Sequence, residues 1–160
     1  MEAGGLELVP LERGQLWLMR VRAAILAAIL IAAAIVGEEA LRTEVELPRG
    51  AILLPLLVPL AYLLFVAPGR RYRAWAYGMD AEELHVRRGV LTRVQTVVPL
   101  ERIQHIDISQ GPLERGFAVC RLVLHMAGTL HSQVMIPGLA RETAERMRDE
   151  IRARIREEPA

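Results

Sequence analysis

The stretch "AILLPLLVPLAYLLFVAP", Ala51 to Pro68, contains no charged residue. A helix on the surface of a soluble protein needs one polar face, and this segment offers none. Pro55 and Pro59 would break a helix in water, whereas a membrane-spanning helix tolerates them, usually with a kink. A second apolar segment precedes it, "LWLMRVRAAILAAILIAAAIVG", Leu16 to Gly37. Its uninterrupted part, Ala23 to Val36, is short for a span at about 1.5 Å per residue. Arg20 and Arg22 extend it, because a long arginine stem lets the guanidinium snorkel into the headgroups. Trp17 stands where an interfacial aromatic belongs. Two soluble readings compete: a cleaved signal peptide ending near "AAA", or two buried helices of a bundle. The charge-free second segment favours a transmembrane hairpin over both.

The basic residues set its orientation. All 20 are arginine, and they nearly balance 19 acids, for a net charge of +1. Arg13, Arg20 and Arg22 flank the first span and Arg70, Arg71 and Arg73 follow the second. The loop between sets Arg42 and Arg49 against Glu38, Glu39, Glu44 and Glu46. Short basic flanks stay inside, so both termini are expected in the cytoplasm. The expected organisation is a cytoplasmic segment 1–15, a spanning helix 16–37, an external loop 38–50, a spanning helix 51–68 and a cytoplasmic domain 72–160. Trp17, Arg20, Arg22, Arg70, Arg71 and Arg73 are the expected interface anchors. So small a net charge excludes a nucleic-acid footprint. The single cysteine, Cys120, excludes an internal disulfide and a multi-cysteine metal site.

From Arg73 onward the pattern alternates, as half-buried strands do. "YRAWAYGMD" predicts a first strand. "ELHVRRGVLTRVQTVVP" predicts a hairpin turning near Gly89, with Leu84, Val86, Val94, Thr96 and Val98 inward. "IQHIDIS" sets Ile103, His105 and Asp107 against Gln104, Ile106 and Ile108. "RLVLHM" sets Leu122, Leu124 and Met126 against Arg121, Val123 and His125. A last strand lies around "VMIP", where Pro137 is expected to stop the ladder. Leu139, Ala144, Met147, Ile151 and Ile155 then recur at helical spacing, with Glu142 and Glu145 early and Arg154 and Arg156 late, as the helix dipole favours. About six strands and one closing helix make an α+β domain.

Several blocks carry a resemblance. The hairpin Gly89 to Arg93, "VVPLERIQ" at Val97 to Gln104, "QGPLERGF" at Gln110 to Phe117, Ala127 with Gly128, and "IPGL" at Ile136 to Leu139 resemble the bacterial PH-like domain family of YdbS-like membrane proteins. The preceding helical hairpin fits the same family. Ala118 stands where the family usually has glycine, Gly116 where a large apolar residue is usual, and Met126 where threonine is common. The resemblance implies a PH-like β-sheet or partly open barrel closed by one C-terminal helix, in a bacterial cytoplasmic membrane. It implies no established chemistry and no cofactor. It also implies a hetero-complex with a larger membrane protein carrying tandem PH-like domains.

Candidate sites are few. His105, Asp107 and Ser109 share a strand face, yet nothing builds an oxyanion site beside the serine. His105, His125 and His131 lack the cysteine or carboxylate spacing of a metal site. "GPLERG" has too little Gly–Lys–Ser character for a phosphate loop. The favoured expectation is a non-catalytic interaction module that binds a protein partner, or another copy of itself, through Gln110, Gly111, Pro112, Leu113, Arg115 and Phe117. The alternative is anionic lipid-headgroup binding through Arg87, Arg88 and Arg93, although the loop "GMDAEE" before that hairpin is acidic and repels phosphate. An enzyme or transporter ranks third, because neither span carries an intramembrane charge for an ion relay.

Overall fold

The computed structural model describes residues 8–46, 48–127 and 133–157. His131 and Gly128, both singled out in the sequence, lie outside them. Helix α1 (Arg13–Leu41) and the continuous helix Leu53–Ala74 are long and apolar enough to cross a membrane. The second divides into α2 (Leu53–Ala61), a π-helical turn (Tyr62–Val66) and α3 (Ala67–Ala74). The widened turn stands just ahead of Pro68. A proline ring crowds the carbonyl four residues back and donates no N–H, and one π turn absorbs that mismatch.

The two helices pack through small residues. Ala23, Ala27 and Ala34 of α1 are buried, as is Leu60 of α2, because methyl side chains let backbones approach closely. At the far end of the hairpin, Glu38 accepts hydrogen bonds from the backbone N–H groups of Gly50, Ile52 (3.2 Å) and Leu53 (3.3 Å). A carboxylate at a helix N-terminus satisfies donors that have no partner within the helix.

The rest is a PH-like α+β domain with two antiparallel sheets. One has the order β1 (Val9–Pro10), β2 (Ala76–Met79), β3 (Glu83–Arg88), β4 (Val94–Pro99). The other has the order β5 (Ile103–Ser109), β6 (Cys120–Met126), β7 (Gln133–Leu139). Between β5 and β6 lies the one-turn helix α4 (Pro112–Gly116), and α5 (Arg141–Glu157) closes the domain. Leu84, Val86, Val98, Leu122, Leu124, Ile136 and Ile151 meet in one core.

Several expectations change in detail. The predicted first strand loses its start: Tyr72 to Ala74 are helical, and only Ala76–Met79 pair in the sheet. Leu84, Val86 and Val98 are buried as expected, but Val94 is 40% exposed, because β4 is an edge strand whose start runs beyond the core. Strict alternation fails in β5. The register shifts between Ile103 and His105, so Ile103 and Ile106 are both buried while His105 and Asp107 face out. Pro137 does not stop the ladder: β7 continues to Leu139 through a second shift opposite Cys120 and Leu122. Leu139 belongs to that strand, and α5 buries Ala144, Met147 and Ile151.

A candidate arginine site

Trp75 leaves the last turn of α3 in an extended conformation, and β2 and β3 then carry the chain back beside the helix. This reversal sets Arg70 and Arg73 of α3 opposite the β3–β4 hairpin. Arg70, Arg73, Arg87 and Arg93 line one recess of about 370 Å³, together with Ala74, Gly89 and Val90. No carboxylate lines it, and among the described residues none of the four guanidinium groups is ion-paired. Four like charges lining one recess favour any anion that enters it.

Arg88, expected to act with Arg87 and Arg93, points elsewhere. Successive strand residues face opposite sides. Arg88 therefore joins Arg71 at a neighbouring groove of about 540 Å³, whose walls include Met19, Trp75, Val90, Leu91 and Val94. The recess and the groove share Ala74, Gly89 and Val90, so they flank a single hairpin.

The other expected anchors divide. Trp17 is exposed, and the Arg20 guanidinium lies 4.9 Å from its ring centroid, a cation–π contact. Arg22 turns toward the domain, with Nη2 3.5 Å from Oε1 of the buried Glu114.

Glu114 explains what the segment Gln110 to Phe117 does in the fold. Its Oε2 accepts a 2.8 Å hydrogen bond from the Gly111 N–H. Its Oε1 lies 2.9 Å from Arg121 Nε, off the N–H direction, so that contact is an ion pair. Gln110 donates to the Val119 carbonyl at 2.9 Å, and Gly14 of α1 packs against the Phe117 carbonyl. Gln110 and Gly111 are thus occupied inside the chain, Phe117 is half-buried, and Pro112, Leu113 and Arg115 remain outward.

The structure also joins residues that the sequence kept apart. His105 and His125 are cross-strand partners, and Asp107 lies between them, 3.1 Å from each Nε2. The group is exposed and, among the described residues, no nucleophile joins it: Cys120 is buried, its thiol 3.4 Å from the Leu139 carbonyl, and burial pushes its pKa up. Sequence reasoning missed His85, which is buried with Nε2 3.4 Å from Asp80 and 3.5 Å from Glu83. The Glu-x-His spacing along one strand face was the available signal. These three side chains are the described residues best placed to hold a metal. Asp80 is already engaged: its Oδ1 accepts from the N–H groups of Glu82 and Glu83, which hold its pKa below the usual carboxylate range.

Residues 14–155 match the family model described as Bacterial PH domain. The chain is also 35% identical over 88 residues to the UPF0699 transmembrane protein YdbS of Bacillus subtilis (strain 168). That match covers 55% of this chain and 54% of the relative, so it spans about half the length of each. No solved structure matches.

Proposed function

The chain belongs to the bacterial PH domain family, and from that premise we propose that it is a non-catalytic membrane protein whose arginine recess binds anionic lipid headgroups. It is membrane-associated, PH-like and similar to a transmembrane protein. In this reading both termini and the domain lie in the cytoplasm, and the loop 38–50 lies outside. One observation carries it: Arg70 and Arg73, at the cytoplasmic end of the second helix, converge with Arg87 and Arg93 on a recess without a carboxylate. Near an anionic leaflet each arginine contributes about 1 kcal/mol, so four acting together are enough to select one headgroup charge over another. The acidic loop before β3 does not oppose this, because Glu82 and Glu83 line a different cavity with Glu101 and Arg154.

The test uses the full chain in nanodiscs of equal parts phosphatidylcholine and phosphatidylglycerol, followed by native mass spectrometry. The expected result is phosphatidylglycerol enriched on the released protein, with the enrichment lost in the double variant Arg87→Gln/Arg93→Gln. No enrichment on the parent chain, or full enrichment on the double variant, overturns the reading. A stoichiometric protein partner retained from native membranes, and lost on Leu113→Asp, would instead assign the function to the outward face of α4. Leu113 is 43% exposed there.

A further inference from the structure

At the tip of the β3–β4 hairpin Leu91 is 94% exposed, although the domain buries Leu84, Leu100, Leu122, Leu124 and Leu139 and leaves even Leu113 only 43% exposed. No charged residue occurs from Gly89 to Thr92, so the tip offers water only an apolar turn. Exposed apolar tips are costly in water and favourable at the boundary of a bilayer.

The depth of this tip follows from its neighbours. The groove beside it is lined by Met19, about one helical turn before the uninterrupted apolar run begins at Ala23, and by Arg71 and Ala74 from the last turn of α3. The tip therefore stands beside the ends of both apolar helices where they meet the domain. The groove volume, about 540 Å³, lies within the roughly 300–1,000 Å³ typical of small-molecule sites. On the other side of the same hairpin, sharing Gly89 and Val90, lies the arginine recess.

Resting on the headgroup reading above, we infer that the β3–β4 tip is a wedge inserted in the bilayer, and that one anionic phospholipid straddles it. The phosphate lies in the recess of Arg70, Arg73, Arg87 and Arg93. One acyl chain lies in the groove along Met19, Trp75 and Val94. Charge complementarity selects this occupant: an uncharged lipid leaves four guanidinium groups unneutralised, and a free phosphate leaves the apolar part of the groove, Met19, Trp75, Val90 and Val94, open to water. The alternation of Arg87 and Arg88 across the strand puts Arg87 in the recess and Arg88, with Arg71, among the otherwise apolar lining of the groove.

The test places an environment-sensitive fluorophore on Leu91→Cys, and separately on Glu101→Cys at the rim of the cavity beside α5, in the full chain in nanodiscs. Buried Cys120 leaves the parent chain unlabelled. Lipids brominated near the glycerol end of their acyl chains should quench the position 91 label several-fold more than the position 101 label. Equal quenching at both positions overturns the wedge, and phosphatidylglycerol enrichment persisting alongside it would leave the headgroup reading intact. A second variant, Leu91→Gln, makes the tip and its wall of the groove polar without adding a charge near the arginines. Reduced phosphatidylglycerol retention with all four arginines present supports the shared site, and unchanged retention overturns it.

Discussion

The base of α1 is docked into the PH-like domain, and Gly14 tests that docking. A Cβ added at Gly14 would overlap the Phe117 carbonyl oxygen and stand 2.9 Å from Val119 Cγ1. The oxygen is backbone, fixed by the α4 turn and by the start of β6, so it cannot swing aside. Forcing a methyl into such a contact costs about 1–3 kcal/mol. Helix propensity acts the other way and returns at most about 1 kcal/mol, less in a first turn. The net expectation for Gly14→Ala is a loss of about 1–2 kcal/mol. Gly116→Ala is the comparison, because a Cβ there meets nothing within 4 Å and should leave stability unchanged or a few tenths of a kcal/mol higher. For a chain of this length the difference corresponds to a Tm lower by several degrees in Gly14→Ala, at roughly 2–4 °C per kcal/mol. Thermal unfolding in detergent, followed by near-ultraviolet circular dichroism, reads it. A Gly14→Ala protein as stable as Gly116→Ala would mean that α1 does not press on the α4 segment, and the docked geometry would be wrong.

Two further changes have signs fixed by the structure. Ala118 has φ 53, a left-handed conformation that costs a residue with a Cβ roughly 1–2 kcal/mol, so Ala118→Gly should raise stability by a net ~0.5–1 kcal/mol in a chemical denaturation series; a loss would refute the strain. Asp80 has its pKa lowered by the Glu82 and Glu83 N–H groups, so its contribution is full above the ordinary value of 3.8 and is lost as pH falls through the lower folded-state value. In Asp80→Asn the decline of Tm on acidification below about pH 4 should be shallower than in the parent chain, and identical slopes would exclude Asp80 as a source of that decline.

The parts of the fold that repeat over many residues were legible, and the parts that depend on one irregular residue were not. Both long helices follow from charge-free or nearly charge-free runs, and the β3–β4 pairing follows from Leu84, Val86 and Val98. Strand β1 has only two residues, Val9 and Pro10, too few to show any period, yet Leu11 beside it is buried in the core. The bulge at Ile103–His105 turns Ile103 away from the face of His105 and Asp107 and into the core, and it leaves no mark in composition. Ala118 was visible as a departure from glycine, and its positive φ is the physical reason that glycine suits the position. The arginine site was half legible. Arg87 and Arg93 were singled out for headgroups, and Arg70 and Arg73 for the interface. Only the reversal at Trp75 makes them one group, and it is a tertiary event.

That reversal is held from several directions, which bears on how the recess works. Tyr72 donates to the Leu11 carbonyl at 2.6 Å, β1 pairs with β2, and the Glu12 N–H donates to the Gly138 carbonyl at 2.9 Å. Both helices therefore enter the domain through hydrogen-bonded contacts within a few residues of their ends, with no flexible linker between span and sheet. A domain on a loose tether would have to give up orientational freedom each time it met the membrane surface, and that loss weakens binding. Here the two long apolar helices are fixed to the domain at their ends. The β3–β4 hairpin stands beside the helix ends in this arrangement, so a ligand at the proposed site would meet a surface already set by these contacts.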